Sequence, residues 1–298
     1  QLLRALEAVR AAGGVPVVHA ENWDIITLLA ARNVAKGRSE PRWHPRSRPA
    51  PMEGEAAGRV IDIATLVGAP LHIFHVSCAE VVERIAAARA RGLPVTGETC
   101  PQYLFLTQAA YDAPGVAGAL PVCSPPLRPQ SDQDALWRAL ATGQLQLVTT
   151  DHCPFTRAEK ATGLGDFRAI PGGVPSIEMR FPSIYSRGVR SGLLSLSQWV
   201  NTCCTTPARL VGLEKKGNIA PGYDADLVIF DPEQRVRLST DTLHEQVGWT
   251  PYDGLEIVGW PRATLSRGEV IVQDGEFHAS PGRGRYIQRT AALLGKSS

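Results

Sequence analysis

The sequence predicts an α/β fold, a parallel sheet covered by helices, followed by a small β-rich module. Short apolar strands alternate with helical stretches over residues 1–213, and such alternation joins parallel strands through crossover helices. These strands are apolar on both faces, as in a sheet buried between helices rather than one half open to water. After about residue 214 the texture changes. Runs such as GNIAPGYDADLVIFD and EIVGWPRATLSRGEVIVQDGEF are short, β-like and split by Gly, Pro and Asp.

The elements follow in order. QLLRALEAVRAAGG opens the chain in helical register and without an initiating methionine, which points to a fragment whose N-terminal portion lies upstream. VPVVHA (15–20) is the first strand, followed by a proline- and arginine-rich loop at 38–51. PLHIFHVS (70–77) is the second strand, and the helix after it, 79–92, ends on Gly92, a good residue just past a helix end. LPVTGET (93–99) and LQLVTT (145–150) are further strands. Between them, Ser131 with Asp134 resembles a capping box opening a helix near 131–142. Thr206 followed by Pro207 reads as an N-cap with proline at the first helical position. The expected domains are a barrel portion at 1–213, a β-rich portion at 214–280 and a basic surface tail at 281–298.

Composition narrows the function class. At 298 residues the chain can bury a substantial core, and 44% hydrophobic with 20% charged residues is ordinary for a globular protein. A net charge of +2 gives no electrostatic reason to expect nucleic acid or an anionic membrane as partner. No apolar run approaches the roughly 20 residues of a membrane span, and no signal peptide is visible. Six cysteines without a CxxC pair read as reduced thiols of a cytoplasmic protein. Small-molecule chemistry is the expectation.

Polar residues close the apolar strands. Side chains alternate faces along a strand, so Val15, Val17 and His19 share a face, as do Leu71, Ile73 and His75. Leu145, Leu147, Thr149 and Asp151 share another, while His72 and His152 point away. Sites of parallel α/β folds are built at these C-terminal strand ends. A lone histidine there is more often a hydrogen-bonded structural residue than a ligand. Three independent strands ending in His, His and Asp shift the reading towards a metal, because imidazole suits Zn, Fe, Ni or Cu and a carboxylate can either ligate or take a proton from metal-bound water. His72, His152 and His44 are read as structural or loop residues.

The motifs HAEN (19–22), HVSCAE (75–80), GETCPQYL (97–104), CSPPLR (123–128), TTDHCPF (149–155) and NIAPGYDADLVIFD (218–231) closely resemble the cyclic amidohydrolases, nearest to the dihydropyrimidinase/hydantoinase branch. The resemblance spans essentially the whole chain and matches the C-terminal two-thirds or so of such an enzyme. It implies a (β/α)8 TIM-type barrel, incomplete here at its N-terminus, beside the C-terminal strands of a small β-sandwich. It implies two divalent metal ions, usually zinc, a small cyclic amide or ureide substrate and a homo-oligomer, tetramer or dimer. Carried over by motif, His19 and His75 match histidines on the second metal. Asp151 matches the aspartate that ligates the first metal and acts as general base, and Ser124 matches a residue whose backbone binds the ring.

Two departures qualify the carry-over. The family's HxH pair, carboxylated bridging lysine and oxyanion-stabilising tyrosine belong upstream of residue 1, and Lys36, Lys160, Lys215, Lys216 and Lys296 match none of that lysine's context. Gly172, in IPGGVPSIE, stands where the branch usually carries an asparagine that binds the substrate ring. Gln102 and Tyr103 favour this branch over allantoinase or dihydroorotase, which usually place a histidine at the position of Gln102. The other alternative is a non-catalytic relative, against which His19, His75 and Asp151 argue. The chain by itself, with part of the ligand set, is expected to turn over negligibly.

Overall fold

A computed structural model describes residues 1–290; Lys296 and the end of the expected tail lie outside the described residues. The chain forms two compact units. The first takes Gln1–Arg180 and Ser239–Asp253, the second Phe181–Leu238 and the described residues from Gly254 on. No helix among the described residues is long and apolar enough to cross a membrane.

The first unit runs α1 (Leu2–Ala11), β1 (Val17–Val18), α2 (Trp23–Ala35), α3 (Trp43–Ser47), α4 (Ala50–Val67), β2 (Leu71–Ile73) and α5 (Ala79–Ala90). It continues through β3 (Val95–Thr99), α6 (Pro101–Phe105), α7 (Val116–Ala119), α8 (Gln130–Ala141), β4 (Leu147–Val148) and α9 (Arg157–Ala161). The strands form one parallel sheet in the order β1-β2-β3-β4, with Val17 opposite His72, Leu71 opposite Val95 and Glu98 opposite Leu147. Leu71, Ile73, Val95, Leu147 and Val148 are almost fully buried, so helices cover this sheet on both faces as its apolar runs require.

The helix punctuation is partly as the sequence reads. Gly92 sits just past the end of α5 at φ 78°. The capping box at Ser131 does not form: α8 starts at Gln130 behind Pro129, without a side-chain cap. Proline at that position already fixes the chain for helix entry, and Asp132 Oδ1 instead accepts the Ala79 N–H at 2.9 Å, tying α8 to the start of α5. Thr206 is not an N-cap either. It lies inside a helical run from Leu196 to Leu210, whose cap is Ser195, with Gln198 reaching back to close a capping box.

The second unit carries an antiparallel sheet of β5 (Leu227–Arg237), β6 (Glu256–Ser266), β7 (Glu269–Gln273) and β8 (Glu276–Phe277), in that order. Arg267-Gly268 and Asp274-Gly275 make its tight turns with positive φ at both residues, the geometry that suits the strand twist in two-residue hairpins. Its aromatic core stacks Phe181 on Trp199 at 4.1 Å and sets Phe230 5.0 Å from Trp199.

Candidate active site

β1 and β2 are neighbours, so the residues just beyond their C-terminal ends are brought together. His19 Nδ1 lies 2.9 Å from His75 Nε2, with the rings edge-to-face at 73°. The other nitrogen of His19, Nε2, donates to Glu21 Oε2 at 3.0 Å, and Arg48 pairs with the same oxygen at 2.5 Å. Burial pushes the Glu21 carboxyl up, but the His19 hydrogen bond and the Arg48 charge outweigh it and hold Glu21 below its usual range. An ionised Glu21 takes the His19 proton on Nε2 and leaves Nδ1 as a lone pair facing His75.

This donor set fits a divalent cation. Two imidazole nitrogens converge on one point, and the second nitrogen of one is tied to a carboxylate, as in metal-binding histidines. Burial and the adjacent His19 lower the His75 pKa, opposed by the charges of Asp151 and Glu53. His75 is thereby kept neutral, the form that ligates. Its buried Nδ1 has no hydrogen-bond partner. Among the described residues, no group of three or more His, Cys, Asp or Glu is gathered closely enough to hold a metal ion. The chain therefore brings two of the expected ligands into contact, with Asp151 within electrostatic reach of His75.

The backbone, rather than strand alternation, aims these groups. The sheet ladder stops at Ile73 and Val148, so the face-sharing that a continuous strand would give does not extend to 75 or 151. His75 has φ 37° and Asp151 φ 46°, both in the left-handed region, which redirects each side chain at its strand end. Asp151 is exposed. His72 is fully buried and bonded to Thr96 Oγ1 at 2.8 Å and Glu98 at 2.9 Å. His152 Nδ1 accepts the Ser176 N–H at 3.0 Å. His44 is no loop residue: it sits buried in α3 and donates from Nε2 to the Cys123 carbonyl at 2.7 Å.

Ser124 and Gly172 also meet. A Cβ on Gly172 would lie 3.9 Å from Ser124 Oγ, and both line a cavity of about 410 Å³ walled by Trp23, Ile26, Arg48 and Phe167. Gly173 beside it has φ 147°, and a Cβ there would strike the Cys153 carbonyl at 2.4 Å, so only glycine fits. Arg48 links the two clusters, lining the cavity and pairing with Glu21. Behind His75, the buried Glu53 accepts from Ser77 and from Arg128 at 2.8 Å. Glu21 is signalled in sequence by its place in HAEN. Glu53 and Lys160 carry no comparable signal.

Comparison with known proteins identifies the family. The Amidohydrolase family model matches residues 52–271. The D-hydantoinase of Geobacillus stearothermophilus is 45% identical over 290 residues, 97% of this chain and 62% of that protein. The chain thus spans less than two-thirds of the length of that curated relative. The solved D-hydantoinase of Bacillus sp. AR9 superposes with a TM-score of 0.95 at 46% identity, over 97% of this chain and 63% of its own. A dihydropyrimidinase from Brevibacillus agri NCHU1002 gives 0.96 at 43% identity, with the same coverage. The architecture is that of the TIM-type barrel amidohydrolases, of which four parallel strands are present among the described residues. Matched along most of its length, the chain belongs to the amidohydrolase family, and its likeness within that family is to D-hydantoinases and dihydropyrimidinases.

Proposed function

We propose that the whole protein opens a cyclic amide ring of the hydantoin or dihydropyrimidine type by hydrolysing a ring C–N bond. The observation that carries this reading is the meeting of His19 Nδ1 and His75 Nε2 at 2.9 Å beyond the ends of adjacent parallel strands. His19 and His75 would hold one divalent ion and Asp151 the other, zinc being one of the ions that such a donor set suits and the usual one in the family it resembles. Such ions, when bound, make hydroxide available near neutral pH and polarise the amide carbonyl. Asp151 takes a proton from the attacking water and delivers it to the ring nitrogen as the C–N bond breaks, so one water is consumed and no proton is left over. Glu21 holds the His19 tautomer with Nδ1 free. The Ser124 main chain holds the imide or ureide edge of the ring. Gly172 offers no side-chain amide there, so the ring is held through the main chain. The six free thiols support a cytoplasmic enzyme, and its working as a homo-oligomer, tetramer or dimer, rests on the family resemblance alone.

The test follows ring opening of hydantoin and dihydrouracil by the metal-loaded whole protein. Asp151→Asn is expected to lower kcat by about 10²–10⁴-fold, the size of a general acid–base contribution; near wild-type turnover would overturn the role. His19→Ala and His75→Ala should each reduce bound metal by about one equivalent in elemental analysis. Unchanged metal content would remove both from the ligand set.

A further inference from the structure

Lys160 is a costly residue with no catalytic assignment. It sits in α9, no part of it reaches solvent, and no carboxylate pairs with it among the described residues. Its ammonium donates to the Val122 carbonyl at 2.7 Å and to the Pro171 carbonyl at 2.7 Å, with the Phe155 ring 5.7 Å away. A buried ammonium without a counter-ion is normally selected against. Here burial lowers its pKa to about 8, opposed by the nearby Cys123 and Cys153 thiols.

The two carbonyls it holds have one thing in common. Val122 stands two residues before Ser124, and Pro171 one residue before Gly172. The segment 122–125 is held carbonyl by carbonyl. Val122 O also accepts the Gly173 N–H at 2.9 Å. Cys123 O accepts His44 Nε2–H at 2.7 Å, and Pro125 O accepts the Tyr103 hydroxyl at 2.9 Å. Ser124 alone of these four keeps its carbonyl without an intramolecular partner, and it is the only one of them that is not fully buried. It faces the cavity that Gly172 also lines. His44 is wedged edge-on between Tyr111 at 6.0 Å and Phe167 at 6.3 Å, so its donor direction is fixed.

We propose that Lys160 and His44 are positioning residues for ring recognition: they fix the carbonyls on either side of the cavity so that the Ser124 main chain is presented to a cyclic imide or ureide at a set angle. This rests on Ser124 being the ring contact. A planar ring that both donates and accepts demands placement within about 0.5 Å, and an otherwise loop-like segment has no ladder to provide it. Lys160 locks the two segments to each other through one group, and His44 locks the first to α3.

The experiment uses the metal-loaded whole protein and compares Lys160→Met, His44→Phe and His44→Gln. Lys160→Met is expected to raise KM for hydantoin about 10-fold or more, the worth of one or two lost hydrogen bonds, with kcat changed far less and metal content unchanged. Hydrogen exchange should quicken at 121–126 and 170–174 but not at β2 or β3. His44→Phe should quicken only the first segment and raise KM in the same direction, and His44→Gln, which still donates, should restore both. If Lys160→Met does not fold, the His44 pair carries the test. Unchanged exchange in both segments would overturn the clamp itself. Faster exchange with unchanged KM would instead overturn Ser124 as the ring contact, and the positioning role with it.

Discussion

At His75 and Asp151 the backbone leaves the conformation of a strand. Among the described non-glycine residues only these two, Arg267 and Asp274 have positive φ, and the latter pair precede glycines in hairpin turns. Strain at non-turn positions persists where the surroundings over-determine it, typically at working sites. Asparagine tolerates the left-handed region as readily as aspartate, so Asp151→Asn removes the charge and keeps the turn. His44 supports a second residue-scale prediction. Burial, helped by the Arg48 charge, lowers its pKa from the ordinary 6.5 to about 4. Between those values the unfolded chain takes up a proton that the folded chain refuses, so stability falls as pH falls from 6.5 towards 4. Wild type should lose about 2–3 kcal/mol more than His44→Gln between pH 7 and pH 4.5 in urea titrations; equal losses would contradict a buried neutral imidazole. The residue types at the strand ends are legible in sequence, because polar groups closing apolar runs stand out. That His19 and His75 share a site follows in sequence only from the family resemblance, and how they converge is not legible, since it depends on backbone turns after the ladder has stopped.

At the scale of elements, strands and helices are legible where one local signal decides them. Gly92 ends α5 because glycine accepts φ 78° without cost. Ser131 misleads because Pro129, two residues earlier, already starts the helix, and its neighbour Asp132 serves another element. Contacts between distant elements leave no local trace. The clearest is the buried group tying the first turn of α4 to the segment after β2 and to the 123–128 loop. Arg128 pairs with Glu53 at 2.8 Å across 75 residues of sequence, and its Nε donates to Ser77 Oγ at 3.0 Å. Arg128→Met leaves the Glu53 charge buried and unpaired, and should cost about 3–5 kcal/mol. Replacing both, as Glu53→Met with Arg128→Met, should recover most of that, because two apolar residues need no partner. Denaturant midpoints of the singles and the double decide it. A single variant within about 1 kcal/mol of wild type would mean that the pair is solvated.

For the molecule as a whole, the two units are not consecutive stretches of chain. The chain leaves the first unit after Arg180, returns for Ser239–Asp253 and leaves again at Gly254. Sequence texture hides this return, since residues 239–253 lie between β-like runs and carry turn residues of their own. What anchors the return is Trp249. Its ring is 2% exposed and packs with Leu120 and Val174, and its Nε1–H donates to the Phe155 carbonyl at 2.8 Å. Glu245 and Glu178 add polar ties within the same unit, Glu245 accepting from the Ile177 N–H at 3.1 Å and Glu178 from the His244 N–H at 2.7 Å. Val174 directly follows the Gly172-Gly173 pair, so the anchor also backs the Gly172 wall of the cavity of about 410 Å³. Trp249→Ala removes a large buried ring and leaves a carbonyl unsatisfied, which should cost the first unit about 3–5 kcal/mol. Trp249→Phe keeps most of the packing and loses only the hydrogen bond, about 1 kcal/mol. Hydrogen exchange locates the damage: Trp249→Ala should quicken exchange in 116–122 and 172–176 and spare the strands β5–β7. Damage spread equally over the antiparallel sheet would mean that residues 239–253 belong to the β-rich module, and that the chain crosses between units once instead of three times.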